Sequence, residues 1–412
     1  MLQPVGVGHK VLSDYSHLVG RPLVEEINQR AESLKGLKVL HLSATAFGGG
    51  VSEILYTLIP LMRDVGIEAE WQVIFGREEF FNATKLMHNA LQGHPVDLSP
   101  SEWRIYEEYN EMNAGELHGD WDVIIVHDPQ PAAMRAHVPE RSKHWIWRCH
   151  IDLSTPHPPT LSRFVPHLTG YDAALFHMQQ YVPAGLDGAA GAVHICPPAI
   201  DPLSPKNMAL SPEDAAFVCE QFGIDVDRPL ICQVSRFDPW KDPIGVIDAY
   251  RIVHREMPEV QLALVGSMAT DDPEGWQFFN STLEYAAGDP DIKILNNMNN
   301  VGAIEVNAFQ SQADVLIQKS TREGFGLTVS EALWKARPFI GGDVGGIPLQ
   351  IEDGRTGYLV STPEECADRT LRILRDPEHG KALGRAGKEY VRSHFLTPRL
   401  LRDWLRIFGE LP

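Results

Sequence analysis

The chain has 412 residues, enough at roughly 150 residues per domain for two or three domains with their own cores, so small stapled scaffolds are excluded. Apolar residues make up 43% and charged residues 22%, which separates the chain from disordered sequences. Lys and Arg total 36 against 55 Asp and Glu, and the formal charge of −19 would repel nucleic acid or an anionic membrane, so any phosphate has to be met by a local cluster of donors.

Cys149, Cys196, Cys219, Cys232 and Cys366 are odd in number, far apart and without a C-x-x-C pair, which suggests neither a disulfide framework nor a zinc knuckle and points to a reducing cytoplasm. No run approaches the roughly 18 apolar residues of a membrane span. The N-terminal stretch MLQPVGVGHKVLSDY lacks the basic and then apolar order of a signal peptide. A soluble, cytoplasmic protein is expected.

Short apolar runs alternate with longer amphipathic stretches, the pattern of βα units that build parallel sheets. Strands are predicted near Lys38 to Leu42, Trp71 to Phe75, Val123 to Val126, Trp145 to Arg148, Ala173 to Phe176 and Val193 to Ile195. The proline-rich loop Cys196 to Pro205 breaks the pattern and is the expected boundary, with domains over 1–204 and 205–397. The second half predicts strands near Leu230 to Val234, Val260 to Val265, Lys293 to Leu295, Val315 to Gln318, Phe339 to Gly341 and Gly357 to Val360. The fold class is therefore α/β, with two doubly wound Rossmann-like domains and the chemistry expected in a central cleft where their loops face each other.

Three loops stand out. Gly48, Gly49 and Gly50 open a helix after the first strand, where backbone N–H groups and the helix dipole could hold an anion; the alternative is a tight βα turn. The spacing is neither G-x-G-x-x-G nor a Walker A sequence. Arg236 and Lys241 sit on one loop after the first strand of the second half, where both charges could converge on a diphosphate; the alternative is a solvated turn with surface Arg–Asp and Lys–Asp pairs. Glu323 and Glu331 frame Gly324, Phe325, Gly326, Leu327 and Thr328 at another helix start. One carboxylate could take sugar hydroxyls, the amides a phosphate and the other carboxylate the two hydroxyls of a ribose. The alternatives are an exposed helix residue for Glu331 and a dipole partner for Glu323. Eight helical positions span about 12 Å, which suits two-point binding better than the roughly 5 to 9.5 Å carboxylate pair of a glycosidase.

Two further strand ends carry polar clusters, His127-Asp128-Pro129-Gln130-Pro131 and Arg148-Cys149-His150-Ile151-Asp152. Such groups could be metal ligands, a general base or partners for sugar hydroxyls, though no H-E-x-x-H pattern supports a metal. Asp225 with Asp227 and Asp289 with Asp291 match a loose D-x-D pattern in turn-like context.

Taken together, Gly48 to Gly50, Arg236 with Lys241, and Glu323 with Glu331 resemble the retaining glycosyltransferases of the two-domain GT-B fold, family four. The strings GDWDVIIVHDPQP, WRCHIDLS, SRFDPWKDPIGVIDAY and QKSTREGFGLTVSEALWKARP are similar to a narrower group, the trehalose glycosyltransferring synthases, from about Lys38 to the C-terminus. Ala336 departs from the pattern where a glycine often stands, and Phe339 and Asp343 also look variable; packing rather than reaction should be affected.

The resemblance implies reversible transfer of glucose from a nucleoside diphosphate glucose to free glucose, giving α,α-trehalose. It makes Arg236 and Lys241 partners of the leaving diphosphate, assisted by amides of Gly49, Gly50, Leu327 and Thr328. Glu323 would bind donor hydroxyls beside the Gly324 to Gly326 amides, and Glu331 the ribose. His150 would meet the donor sugar, with Asp128, Gln130, Arg148 and Asp152 as acceptor candidates. The helix expected over Pro398 to Phe408 would pack back on the first domain. No metal or tightly bound cofactor is implied, and Mg²⁺ enters at most as a stimulant. A trehalose phosphorylase and another family-four enzyme with a different acceptor are the enzymatic alternatives; a sugar or nucleotide sensor and a metal-dependent hydrolase are the others. The nucleotide base (ADP, GDP or UDP) stays open, with its contacts expected around Val265 to Met268 and Asn297 to Asn300. The oligomeric state is open too, a homodimer included.

Overall fold

The computed structural model describes residues 2–186, 188–268 and 273–412, which fall into two compact units. The first comprises residues 1–198 and 397–412, the second 199–396. The division lies at Pro198–Ala199, inside the proline-rich loop. Residues 199–204, placed with the first domain by the sequence, pack with the second because the Ile200 amide donates to Phe395 O at 2.8 Å.

The first unit holds β1 (Gln3–Pro4), β2 (Lys38–Ser43), β3 (Glu68–Val73), β4 (Trp121–His127), β5 (Ser142–Arg148), β6 (Ala173–Phe176) and β7 (Ala192–Ile195). Their order is β1-β3-β2-β4-β5-β6-β7, parallel except for antiparallel β1. Strands such as β2 and β4 are buried along nearly their whole length because helices cover both faces, which explains their unbroken apolar runs. β3 begins earlier than expected because Glu68 and Glu70 point out between the buried Ala69 and Trp71, and this alternation hides its start. β1 has two residues and no pattern to read.

The second unit holds β8 (Leu230–Arg236), β9 (Gln261–Ser267), β10 (Ile292–Leu295), β11 (Val315–Gln318), β12 (Phe339–Gly342) and β13 (Tyr358–Val360), all parallel, in the order β10-β9-β8-β11-β12-β13. Numbered within the unit this is 3-2-1-4-5-6, the Rossmann order, whose ligand crevice opens where the order reverses. Here that point lies between β8 and β11. In the first sheet the reversal lies between β2 and β4.

The helices that matter for the sites are α1 (Arg21–Glu32), α2 (Gly50–Asp64), α3 (Pro243–Glu256), α4 (Leu327–Trp334) and α5 (Thr397–Gly409). α5 packs on α1 and α2 within the first unit, burying Trp404, and Arg399 ties it down by donating to Pro197 O at 2.9 Å and Pro198 O at 2.8 Å. No helix among the described residues is long and apolar enough to cross a membrane.

Ala336 follows α4 at φ +58°, the left-handed conformation usual for a glycine that ends a helix. Its carbonyl would lie 2.0 Å from a Cβ at Gly384, so the two backbones are in close contact. The alanine retains a local cost of about 1–2 kcal/mol. Ala336→Gly is therefore expected to stabilise the protein by about 1 kcal/mol, net of the freedom it adds to the unfolded chain, seen as a raised midpoint in denaturant unfolding.

Candidate functional site in each unit

In the first unit the chain leaves β2 through Phe47, Gly48 and Gly49 into α2. Gly48 has φ +71° and a Cβ there would meet nothing, so the turn rather than crowding demands glycine. No side chain caps the start of α2 at Gly49, and Phe47 beside it is 78% exposed.

β4 and β5 end beside each other. Asp128 sits at φ +64° and its Oδ1 accepts the His150 amide at 2.7 Å, while burial pushes its carboxyl up to about 7. The His150 ring lies between His127 Nδ1 at 2.9 Å and His177 Nε2 at 3.4 Å. His127 in turn meets His41 Nδ1 at 2.9 Å. Arg148 is turned inward, donating to Phe176 O at 3.2 Å and Cys196 O at 2.5 Å. Asp152 Oδ1 closes a turn by accepting the Ser154 amide, and Gln130 keeps a buried side-chain oxygen without a partner among the described residues. A cavity of about 10 Å³, room for one water, is lined by His127, Arg148 and His150 together with apolar residues of α2 and α5.

In the second unit the turn after β8 is closed by Asp238, whose Oδ1 accepts the amides of Trp240 and Lys241. Arg236 and Lys241 fare differently. Arg236 is two-thirds exposed and pairs with Asp238 at 3.3 Å, a surface pair of the kind the solvated-turn alternative describes. Lys241 is largely buried and reaches across the reversal point to Glu323 Oε2 at 2.7 Å. Ser320 Oγ donates to the same oxygen at 3.3 Å. The helix α3 that follows is capped by Asp242, which also pairs with the buried Lys319.

Gly326 starts α4 at φ +79°, and a Cβ there would lie 3.1 Å from Glu323 Cγ, so the loop closes tightly on the carboxylate. No side chain caps the helix. The buried Gln350 holds the loop from behind, donating to Phe325 O at 2.5 Å and Gly326 O at 3.3 Å while accepting from Ser330 Oγ. Phe325 itself is buried against Phe395.

Glu331 is 1% exposed, which excludes the exposed-helix alternative. Its Oε1 is 3.4 Å from Lys206 Nζ, and its Oε2 has no hydrogen-bond partner among the described residues. One turn on, Lys335 donates to Glu331 O and to Asn207 Oδ1, both at 3.2 Å, and burial pulls its ammonium down to about 7 against the pull of Glu331. The segments expected to meet a base are tied together, Met268 N donating to Asn297 Oδ1 at 2.7 Å. The D-x-D acids are spent on turns, Asp225 accepting the Asp227 amide and Asp289 the Asp291 amide.

Sequence reasoning missed His41, His177, Lys206, Lys335 and Gln350. The two histidines left a trace, one lying in and the other just beyond a predicted strand, and Lys335 stands inside the string QKSTREGFGLTVSEALWKARP.

Two doubly wound parallel sheets with loop clusters at their switch points belong to the GT-B class of glycosyltransferase fold. Trehalose-6-phosphate synthase OtsA superposes with a TM-score of 0.75 at 14% identity, over 91% of this chain and 99% of that one. The family description "Trehalose synthase, N-terminal domain" matches residues 41–183, and "Glycosyl transferases group 1" matches residues 216–390. Trehalose synthase of Rubrobacter xylanophilus is 56% identical over 100% of this chain and 99% of its own, and that of Thermococcus litoralis 47% identical over 97% of each. The chain belongs to the trehalose synthase family of glycosyltransferases.

Burial holds the His41 ring down at about 3, and burial above all holds His127 and His150 well below the ordinary value. Below about pH 6.5 the unfolded chain takes up protons at these rings that the native chain refuses, so stability is lost as the pH falls. Thermal midpoints should therefore decline below about pH 6.5, and His41→Phe should lessen the dependence by one proton's worth.

Proposed function

We propose that this trehalose-family enzyme transfers glucose, with retention, from a nucleoside diphosphate glucose to the anomeric hydroxyl of free glucose, forming α,α-trehalose reversibly. The observation that carries the reading is Glu331: a buried carboxylate with one oxygen unpartnered, on a helix whose glycine-framed start has no side-chain cap. Leaving such an oxygen unsatisfied costs about 1–3 kcal/mol. The two hydroxyls of a ribose would satisfy it, while a phosphate takes the amides of Leu327 and Thr328.

In this reading the second unit binds the donor. Lys241 and Arg236 meet the diphosphate, whose charge grows as the bond to the sugar breaks, so fixed cations there stabilise the transition state more than bound substrate. Glu323 takes donor hydroxyls and is held for them by Lys241, Ser320 and the Gly326 turn. The first unit supplies His150 to the donor glucose, the amides of Gly49 and Gly50 to the phosphate, and Asp128, Gln130 and Asp152 to the acceptor. Arg148 serves from behind by fixing the strand ends. Retention comes from front-face attack, a donor phosphate oxygen taking the acceptor proton.

Arg236→Ala and Lys241→Ala should each lower turnover by about 10²- to 10³-fold with the circular dichroism spectrum unchanged. Near-normal rates in either would remove that residue's role. Glu331→Gln should raise the donor KM by about 10- to 100-fold, read from initial rates against nucleotide sugar.

The decisive assay incubates the protein with ADP-, GDP- or UDP-glucose and glucose, and follows disaccharide and nucleoside diphosphate by chromatography. Trehalose in step with diphosphate is expected, and the three donors rank the base. Glucose 1-phosphate formed from trehalose and phosphate, with no nucleotide sugar consumed, would establish a phosphorylase instead.

A further inference from the structure

Four histidines stand one to a strand across the first sheet: His41 in β2, His127 at the end of β4, His150 just past β5 and His177 just past β6. Their rings are linked in one sense, Nδ1 of each facing Nε2 of the next, at 2.9, 2.9 and 3.4 Å. A neutral imidazole has one donor nitrogen and one acceptor, so each link dictates the next and the tautomers reverse only together. We propose that His127, anchored by His41, is a positioning residue that fixes the tautomer and orientation of the His150 ring.

Both ends of the row are buried, with His41 Nε2 the outer nitrogen at one and His177 Nδ1 at the other, so either sense of donation puts an N–H on one of these two, and the links fix the tautomers relative to one another. The row takes Nε2 of His150 at 2.9 Å and leaves its Nδ1 facing His177 at the longer 3.4 Å, and its amide is held by Asp128. A second proton on His127 or His150 would split the row into two opposed halves and add a charge beside the buried Arg148. The groups facing the His150 ring are His127, His177, Arg148 and, further along, His41. The rings of His41 and His127, and of His127 and His150, lie end to end and nearly coplanar, 22° and 18° apart, so a ring that turns loses the alignment its hydrogen bond depends on.

The inference rests on the glucosyl-transfer reading for its activity readout alone; the tautomers are measured without substrate. Heteronuclear NMR of protein labelled in its histidine rings, assigned by substitution, should show His127 and His150 each in a single tautomer, protonated at the same ring nitrogen in both, unchanged between about pH 6 and 8. In His127→Phe the His150 ring should become a mixture of tautomers, and kcat should fall about 10- to 100-fold with little change in KM. His127→Asn, whose side-chain amide can stand in for Nδ1 as donor or acceptor, should recover part of the kcat. If His127→Phe does not fold, His41→Phe provides the same reading from one ring away, with mixed tautomers at His127 and His150. Mixed tautomers in the parent protein, opposite tautomers at His127 and His150, a His150 signature indifferent to the substitutions, or an unchanged kcat in the folded variants would each overturn the proposal. Absence of any glucosyl transfer by the parent protein would instead overturn the functional reading and leave the tautomers to decide this one.

Discussion

A parallel sheet delivers the loops that follow its strands to one edge, and where the strand order reverses, adjacent loops turn to opposite faces and leave a crevice. Each unit of this protein builds its polar cluster at that place. Lys241 and Glu323 are 82 residues apart in the chain and meet at 2.7 Å because β8 and β11 are neighbours. His41 and His127, 86 apart, meet at 2.9 Å because β2 and β4 are neighbours. Every other feature of the two clusters, from the glycine turns to the packing behind them, serves to hold loops whose positions the sheets have already set.

Holding them there is costly. Lys241, Glu323, Glu331 and Lys335 are charged groups withdrawn from water, which proteins tolerate where partners or function compensate. The structure supplies partners for most of their atoms: Lys206 for one oxygen of Glu331, Asn207 for Lys335, Ser320 for Glu323. Among the described residues the exception is Glu331 Oε2. Membership of the trehalose synthase family places this polar burial in the setting of glycosyl transfer, where desolvated, pre-oriented groups act more strongly than they would in water.

The same economy explains the backbone. Gly326 and Asp128 adopt left-handed conformations at loops that carry candidate groups, and a Cβ at Gly326 would press on the Glu323 side chain at 3.1 Å. Gln350 then secures the Gly326 loop by binding its carbonyls, leaving the amides at the start of α4 without a competing side-chain cap. Local strain is a reasonable cost where a rigid loop shapes a site.

Every strand except β1 was legible in the sequence, and so were the loops that carry Gly48, Lys241 and Glu323, because apolar runs and glycine turns are written in neighbouring residues and depend on nothing distant. The start of β3 was obscured by its outward glutamates, and β1 was too short to leave a pattern. Which polar residues come together was not legible. The burial of Glu331 beside Lys206 and Lys335, the different environments of Arg236 and Lys241, the support from Gln350 and the row of four histidines all depend on strand order and helix packing. Sequence determined the elements and the chemistry available at their ends; tertiary structure alone chose the partners, because those contacts join loops far apart in the chain and only the folded sheet makes them neighbours.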